Sequence, residues 1–402
     1  MNSGTPRLGT LTSGLDYYKL TMSQLQYEHY PTTAVTFRLQ HRGTADLLRY
    51  IDIDALQADL DALAQQGFLA SELAYIAGLR NSSGGAVFVP AYIDYLTQHH
   101  LPAVRVSTDA GQLQVETSGA WPLVTFWETI VMSAVNQHYF AGFVARHERM
   151  LDVCAIGQQR LDAKIAVLQA NPAIKIIDFG TRRRFQADWH THVVQQLHLH
   201  CPQNLIGTSN VALAHQLSLR PIGTFAHEMP MVYAALTDRH GGDVRASHQR
   251  FLQDWYARYG VDLAIALTDT FGSNFFFADF SLSQAQQWRG LRHDSGDPIA
   301  FGERTIAFYA ERGIDPLTKT IVYSDGLDMA TILRIQQHFA GRIQLAYGWG
   351  TNLTNDVGLT PLNIVMKTSS VEGQPAVKLS DHVGKHTGPA AKIAAYQQFF
   401  MV

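Results

Sequence analysis

The first third of the chain alternates between helical and extended patterns of apolar residues. Predicted elements are helices over 16–27 and 47–66, strands over 34–39, 104–106 and 113–117, and a hairpin turn at 109–111. Two longer helices are predicted over 121–143 and 150–170, and Asn171-Pro172 ends the second. We therefore expect an α+β module that leads into a pair of long helices.

From residue 173 onward, short β-branched runs alternate with segments long enough for one helix each. Most runs end in a small, acidic or glycine-bearing turn, and these turns lie at 178–181, 207–210, 223–224, 268–270, 292–296, 324–326 and 348–351. Alternating strands and helices are typical of a parallel sheet, and seven such strand ends favour a closed or nearly closed barrel. Because active sites of barrels lie at the carboxyl ends of the strands, the polar turns predict the site.

The C-terminal tail departs from this pattern. Residues 361–367 and 376–379 predict strands, and a terminal helix follows a short charged loop. We expect the tail to pack on the N-terminal module.

Composition narrows the class of protein. Of 402 residues 46% are hydrophobic, and the net charge of −3 does not favour binding to nucleic acid or an anionic membrane. Two cysteines without a CxxC motif make a disulfide framework or a structural zinc site unexpected. No signal peptide or membrane span is recognisable, which predicts a cytoplasmic protein. Four histidines on one predicted helix are interpreted as a solvated polar face, namely His190, His192, His198 and His200.

The segment 206–230 contains two strand ends that close with Gly-Thr. A strand that turns into a helix there leaves backbone N–H groups able to bind an anion. His227 follows the second turn, where a histidine can act as a base, a ligand or a nucleophile toward a phosphoryl group. The alternative is a core histidine beside a capped helix, and one turn alone does not decide between them.

Charged side chains follow other strand ends. Three arginines, Arg182, Arg183 and Arg184, can bind carboxylate or phosphate, or merely begin a solvated helix. Phe179 offers a ring for stacking or a core side chain. Three carboxylates, Asp294, Asp325 and Asp328, could hold sugar hydroxyls or Mg²⁺, or cap helices. No Walker A or GxGxxG motif occurs, which argues against ordinary P-loop and Rossmann folds. Taken together, the glycine-bearing turns, arginines and aspartates indicate a phosphorylated sugar, a small planar acid and a metal as ligands.

Eight motifs in one order resemble the nicotinate phosphoribosyltransferase family, and its bacterial branch best. They are DFGTRRRF (178–185), GTSN (207–210), GTFAHE (223–228), LTD (267–269), GLRHDSGDP (290–298), SDGLD (324–328), YGWGTNLTND (347–356) and LNIVMK (362–367). DYYKL (16–20) and SGAWPLVTFWE (118–128) add to them, and the resemblance spans about 15–388.

The resemblance implies the fold of the type II phosphoribosyltransferases. This is an irregular α/β barrel, here over 121–359, and an α+β domain built from 1–120 and 360–402. The implied reaction joins nicotinate to 5-phosphoribosyl 1-pyrophosphate and gives nicotinate mononucleotide and pyrophosphate, the first step of NAD salvage from nicotinate. It is coupled to ATP hydrolysis through a phosphohistidine, belongs to the ligase class and uses Mg²⁺. A homodimer with shared active sites is also implied.

The resemblance also implies roles for individual residues. His227 is the phosphohistidine, and Asp269 is the carboxylate that holds its imidazole. Nicotinate stacks between Phe179 and the partner subunit's Tyr18, with Tyr17 as the alternative. Further implied contacts are Arg182 and Arg292 to the carboxylate or phosphates, Asp294 and Asp325 to ribose or metal, Gly326, Gly350 and Thr351 to the 5-phosphate, Thr208 to substrate, Arg42 or Arg38 to pyrophosphate, and Lys367, Lys378 and Lys385 to nucleotide.

Ser209 bears on which pyridine is used. The nicotinamide-using relative carries an aspartate at the matching position, where it binds the amide, and a serine suits an acid. Alternatives are a nicotinamide, quinolinate or other pyridine phosphoribosyltransferase, a non-catalytic protein that binds phosphoribosyl pyrophosphate or nucleotide, and a barrel hydrolase. Ser209 argues against the amide, and the presence of His227 with Asp269 argues against a binding protein.

Overall fold

A computed structural model of the chain describes residues 8–148 and 150–401. The chain divides into two compact units. Unit 1 comprises Met1–Ile222 and Trp349–Lys367, and unit 2 comprises Gly223–Gly348 and Thr368–Val402. These bounds differ from the domains inferred from the sequence, whose division stays a prediction.

The strands lie between short turns and longer helical segments. In chain order they are β1 (Ala34–His41), β2 (Val104–Asp109), β3 (Gln112–Ala120), β4 (Ile176–Asp178), β5 (Leu205–Thr208), β6 (Ile265–Leu267), β7 (Gly290–His293), β8 (Thr320–Tyr323), β9 (Gln344–Trp349), β10 (Ile364–Val371) and β11 (Gln374–Pro375).

The α-helices alternate with most of these strands. They are α1 (Tyr17–His29), α2 (Ile53–Gln66), α3 (Ala70–Gly78), α4 (Pro90–Gln98), α5 (Trp121–Val124), α6 (Trp127–His147), α7 (Met150–Ala170), α8 (Ala187–His200), α9 (Val211–Gln216), α10 (Glu228–Arg239), α11 (Ala246–Tyr259), α12 (Ser273–Asp279), α13 (Leu282–Gln287), α14 (Pro298–Ala310), α15 (Met329–Phe339), α16 (Thr351–Thr354) and α17 (Ala390–Phe399). Turns of 3-10 helix lie at Leu11–Gly14, Thr181–Arg183, Gly260–Leu263, Pro316–Thr318 and Val383–Lys385.

Unit 1 contains an antiparallel sheet and a parallel strand pair. β3 pairs antiparallel with β1 and β2, and the β2–β3 hairpin turns through Ala110 and Gly111, both with positive φ. β4 and β5 are parallel, with Asp178 opposite Thr208. All three residues of β4 are buried, as is typical of parallel strands covered on both faces. The unit therefore combines an α+β part with strand ends that carry predicted site residues.

Unit 2 contains the parallel strands β6, β7 and β8, which pair in that order. β9 pairs in parallel with β8, and its last residue, Trp349, is assigned to unit 1. Helices follow these strands in the chain. The terminal helix α17 packs by aromatic side chains within the unit, where the rings of Phe271 and Phe400 stack at 3.9 Å beside Tyr396. Parallel strands with intervening helices and a separate antiparallel sheet confirm the predicted α/β class.

Several predicted elements were wrong in detail. The helix expected over 47–66 begins only at Ile53, and the run before the turn at 223–224 forms one isolated bridge, between Pro221 and Thr208. The helix expected over 121–143 is interrupted between α5 and α6, where the N–H groups of Phe126 and Glu128 donate i→i−3 hydrogen bonds to the carbonyls of Leu123 and Thr125. The strand expected over 376–379 is reduced to one bridge, in which Lys378 pairs with Thr387, because this segment hydrogen-bonds to the loop after β6 instead. No helix among the residues described has the length and apolarity needed to cross a membrane.

Candidate active site

The parallel register of unit 2 places the polar turns of the sequence at neighbouring strand ends. Leu267 of β6 lies opposite Arg292 of β7, and His293 lies opposite Tyr323 of β8. Asp269, Asp294 and the segment 324–325 follow these strand ends within two residues. Their side chains therefore gather at the carboxyl edge of the sheet, as the strand-end argument predicts.

His227 is the centre of this cluster. It occupies the N-cap position of α10, and its imidazole is only partly exposed, at 17%. Its Nδ1 lies 3.0 Å from Thr270 Oγ1, and its Nε2 lies 2.9 Å from Asp294 Oδ2 and 2.8 Å from Lys378 Nζ. Burial, and then the ammonium of Lys378, lower the pKa of His227, so the imidazole is neutral at neutral pH.

Asp269 lies farther from His227 than Asp294 does. Its Oδ1 is 3.7 Å from His227 Nε2, outside hydrogen-bond distance, so Asp294 rather than Asp269 is the hydrogen-bonded carboxylate in this structure. Asp269 Oδ2 accepts hydrogen bonds from Ser295 Oγ at 2.7 Å and Ser380 Oγ at 2.9 Å. Burial favours the neutral acid, but the charges of His227 and Lys378 outweigh it and lower the pKa of Asp269. Its carboxylate is consequently fixed and ionised.

Arg292 and Asp294 form the other side of the cluster. The Arg292 guanidinium donates to the Phe225 carbonyl at 3.1 Å and lies 3.4 Å from Asp294 Oδ1. Ser324 Oγ donates to the same oxygen of Asp294 at 2.8 Å. Although burial opposes ionisation, Arg292 and His227 hold the pKa of Asp294 well below its usual range. Arg292 Nε is a buried donor with no hydrogen-bond partner among the described residues.

Two lysines of the C-terminal tail complete this cluster. Lys378 is buried and lies 3.4 Å from Asp269 Oδ2, and Lys385 Nζ lies 2.8 Å from Asp325 Oδ2. Gly326, next to Asp325, has a φ of 61°, which favours glycine. The third carboxylate, Asp328, caps α15 by accepting from Thr331 N, which supports its structural interpretation.

Sequence reasoning missed four hydroxyls of this cluster. Three of them, Thr270, Ser295 and Ser324, belong to the same strand-end turns and could have been included on that ground. Ser380 follows no pattern, and its φ of 58° is uncommon for serine. It is held there by its hydrogen bond to Asp269.

Unit 1 has its own polar cluster at the ends of β4 and β5. The fully buried carboxylate of Asp178 accepts hydrogen bonds from Thr208 Oγ1 at 2.6 Å and Gly180 N at 2.8 Å. His190 Nε2 lies 2.8 Å from the same carboxylate and is also fully buried. The interpretation of four solvated histidines is therefore wrong for His190, because Asp178 supplies its partner inside the unit. Thr208 is committed to Asp178 in the same way.

The residues predicted to hold the pyridine lie beside this turn. Phe179 is partly exposed, and its N–H donates to the Trp349 carbonyl at 2.9 Å. Arg182, 39% exposed, donates to Glu128 at 3.2 Å, and buried Ser209 donates to Asp16 Oδ1 at 2.7 Å.

The two candidate tyrosines differ in burial. Tyr17 is 4% exposed and packs edge-on against Phe88, whereas Tyr18 is partly exposed and borders Lys19. This difference favours Tyr18 as the residue that contacts a ligand.

The other residues of unit 1 that were predicted to contact substrate differ in exposure and in their hydrogen-bond partners. Arg42 is exposed and held by its backbone to Asn363 at 2.8 Å, whereas Arg38 is paired with Glu116 on the surface of the β1–β3 pair. Gly350 and Thr351 begin α16, and Lys367 is part of β10. Of the two further arginines, Arg183 donates to the Ile364 carbonyl, and buried Arg184 donates to the Ser13 carbonyl. These two arginines fasten backbone segments.

Comparisons with known proteins cover almost the whole chain. The profile of the nicotinate phosphoribosyltransferase (NAPRTase) family matches residues 174–402, and that of the NAPRTase N-terminal domain matches 14–136. The nicotinate phosphoribosyltransferase of Chromobacterium violaceum is 40% identical over 419 aligned positions, with 100% of this chain and 99% of the relative covered. That of Xylella fastidiosa is 38% identical, with 92% of each chain covered.

Solved structures agree with the sequence comparisons. The nicotinate phosphoribosyltransferase of Vibrio cholerae superposes with a TM-score of 0.87 at 30% identity, covering 99% of this chain and 94% of the other. That of Porphyromonas gingivalis gives a TM-score of 0.82 at 31% identity, covering 97% and 99%. Both the sequence and the fold show that this chain belongs to the nicotinate phosphoribosyltransferase family.

Proposed function

We propose that this protein is a nicotinate phosphoribosyltransferase, which joins nicotinate to 5-phosphoribosyl 1-pyrophosphate and releases pyrophosphate. Its family membership over both profiles supports this reaction. The observation that carries the proposal further is the position of His227, between a carboxylate, a hydroxyl and a lysine at the strand ends.

We further propose that ATP phosphorylates His227. With its proton on Nε2, the imidazole donates to Asp294, and its Nδ1 lone pair lies beside the Thr270 hydroxyl. Nδ1 then attacks the γ-phosphorus of ATP, the bond from that phosphorus to the bridging oxygen breaks, and ADP leaves. Lys378 and Arg292 neutralise charge on the transferred group, while the lowered pKa of His227 keeps the nucleophile neutral. Hydrolysis of the phosphohistidine drives the overall reaction forward.

The donor atoms of the cluster suit a divalent cation. His227, Asp269 and Asp294 each offer one ligand atom, and these atoms lie within 4.8 Å of one another. Carboxylate oxygens are the ligands that Mg²⁺ prefers, and Asp269 Oδ1 is a buried oxygen with no hydrogen-bond partner among the described residues. Asp269 and Asp294 would hold Mg²⁺, which supplies charge neutralisation for pyrophosphate when it is bound.

In the transfer step, the pyridine nitrogen attacks the anomeric carbon as pyrophosphate leaves. Because that nitrogen already carries a lone pair, the protein's work is mainly positioning and electrostatics. Phe179 and the partner subunit's Tyr18 supply ring faces for the pyridine, and Arg182 supplies a cation for its carboxylate. Asp325 offers oxygens for ribose hydroxyls, while Gly350 and Thr351 offer backbone donors for the 5-phosphate. We also propose a cytoplasmic homodimer, in line with the family resemblance.

The test is product formation by purified protein with nicotinate, 5-phosphoribosyl 1-pyrophosphate and Mg²⁺, with and without ATP. We expect nicotinate mononucleotide, an increase with ATP, and an acid-labile phosphoenzyme that His227→Asn abolishes. His338→Asn is the matched control, because that histidine is exposed and pairs with Glu303 on the surface. ATP coupling that persists in His227→Asn would refute the phosphohistidine step.

A further inference from the structure

Asp16 is a buried carboxylate next to a proposed substrate contact. It occupies the N-cap position of α1, where an aspartate commonly accepts from its own helix, yet its side chain makes no such bond. Instead Ser209 Oγ lies 2.7 Å from Asp16 Oδ1. Backbone hydrogen bonds fix this contact, from Tyr17 N to the Ser209 carbonyl at 2.6 Å and from Val211 N to the Leu15 carbonyl at 3.0 Å. Asp16 is 2% exposed and Ser209 is 1% exposed.

The charges around Asp16 are nearly balanced. Arg182 Nε lies 3.9 Å from Asp16 Oδ2, and its NH1 contacts Glu128 at 3.2 Å. Glu128 in turn lies 2.5 Å from Lys19 Nζ. These four side chains comprise two cations and two carboxylates. The other charged or titratable groups that act on Asp16 are Arg184 and Asp178, the latter in contact with His190.

We propose that Asp16 is a specificity-determining residue, because its hydrogen bond with Ser209 decides whether that hydroxyl donates to, or accepts from, the substituent on the pyridine ring. The inference rests on the proposed function, since it needs the substituent to lie against Ser209. When Asp16 is ionised, the Ser209 proton is committed to it, and Ser209 offers only an acceptor. An amide N–H can donate to that acceptor, whereas a carboxylate cannot.

The protonated form of Asp16 reverses this pattern. The carboxylic acid donates to Ser209 Oγ, and the Ser209 proton can then be donated to a substrate carboxylate. The charges of the surrounding side chains also favour protonation of Asp16 when a carboxylate binds. A carboxylate added to the balanced group leaves one buried negative charge in excess, and a proton on Asp16 removes that excess. Burial raises the pKa of Asp16 although Arg182 opposes it, and this direction favours the proton uptake.

Nicotinate and nicotinamide are therefore expected to differ in how their binding depends on pH. Above the pKa of Asp16 in the free protein, the KM of nicotinate should rise by up to about tenfold per pH unit, because one proton must be taken up. The inhibition constant of nicotinamide, which needs no proton, should stay constant over the same range. The ratio of the KM of nicotinate to the inhibition constant of nicotinamide isolates this difference, because pH effects that both ligands share cancel in the ratio.

The variant that tests the proposal is Asp16→Asn. Its amide is neutral and can donate to Ser209 at every pH, so the KM of nicotinate should become independent of pH and remain at the wild-type acid value. Asp59→Asn is the matched control in unit 1, because Asp59 is a partly buried carboxylate that contacts His138 at 3.0 Å. This control should keep the wild-type pH profile.

A second measurement uses only the wild-type protein. Calorimetric titration with nicotinate, in two buffers of different ionisation enthalpy near neutral pH, should show uptake of up to one proton per site, and titration with nicotinamide should show none. Equal proton uptake for both ligands, or a pH-dependent KM that persists in Asp16→Asn, would overturn the inference while nicotinate turnover stands. A wild-type protein that does not use nicotinate at any pH would overturn the proposed function, and this inference with it.

Discussion

The buried ion pair of Lys19 and Glu128 allows a quantitative prediction for unit 1. Lys19 is fully buried, the Glu128 side chain is 10% exposed, and Nζ and Oε2 lie 2.5 Å apart. With an effective dielectric constant of about 20, their attraction is on the order of 7 kcal/mol before the cost of desolvation is subtracted. Glu128 also contacts Arg182 at 3.2 Å. The two partners are therefore not equivalent, and removing either one should have a different cost.

Glu128→Gln takes a carboxylate from two cations, one of them fully buried, and should lower the free energy of unfolding by about 3–5 kcal/mol. Lys19→Met leaves Glu128 with Arg182 and should cost less, about 1.5–3 kcal/mol. The double variant should cost less than the sum of the two, since no buried charge of the pair is then left without its counter-ion. The surface pair of Arg38 and Glu116, with side chains 62% and 45% exposed, is the matched control.

Urea unfolding followed by tryptophan fluorescence measures these free energies, provided that the slope of the transition stays constant among the variants. Glu116→Gln should change the free energy by less than about 1 kcal/mol. A cost for Glu128→Gln that equals that of Glu116→Gln, or that is smaller than the cost of Lys19→Met, would show that Glu128 is not the stabilising partner of two cations.

Three further predictions concern the site and its supports. Lys378→Met removes an ammonium that lowers the pKa of His227, so the imidazole should become protonated at higher pH, and the acid limb of phosphoenzyme formation should shift to higher pH. Arg182→Lys loses the planar fork and should raise the KM of nicotinate roughly tenfold with little change in kcat. Asp328→Ala removes the cap of α15 and should cost about 1 kcal/mol in urea unfolding without loss of turnover. An unchanged pH profile, an unchanged KM or an inactive cap variant, respectively, would contradict these three predictions.

The strand ends of unit 2 were predictable because polar turns recur after short β-branched runs. The parallel register then brings Asp269, Asp294 and Asp325 to one edge of the sheet. The choice between Asp269 and Asp294 as the partner of His227 was not predictable. It depends on side-chain rotamers and on a difference of less than 1 Å between two distances from His227 Nε2, 2.9 Å to Asp294 and 3.7 Å to Asp269, which sequence spacing does not encode.

Long-range partners were likewise outside the reach of local patterns. Ser380 and Lys378 come from the tail more than one hundred residues after His227 and Asp269. Lys378 was expected to lie in a strand over 376–379 and Ser380 in the loop that follows it. Asp16 has the sequence signature of a helix cap, but its side chain turns to Ser209 because backbone pairing brings the two together. His190 was expected to be solvated like the neighbouring histidines, but it is buried against Asp178, which is distant from it in local sequence pattern.

The most direct test of the central claim is mononucleotide formation by the purified wild-type protein. Nicotinate and nicotinamide should be compared side by side with 5-phosphoribosyl 1-pyrophosphate and Mg²⁺, each with and without ATP. We expect product from nicotinate, more of it with ATP, and little from nicotinamide. Product from nicotinamide in preference to nicotinate would contradict the assigned specificity, and no product from either would contradict the assigned activity.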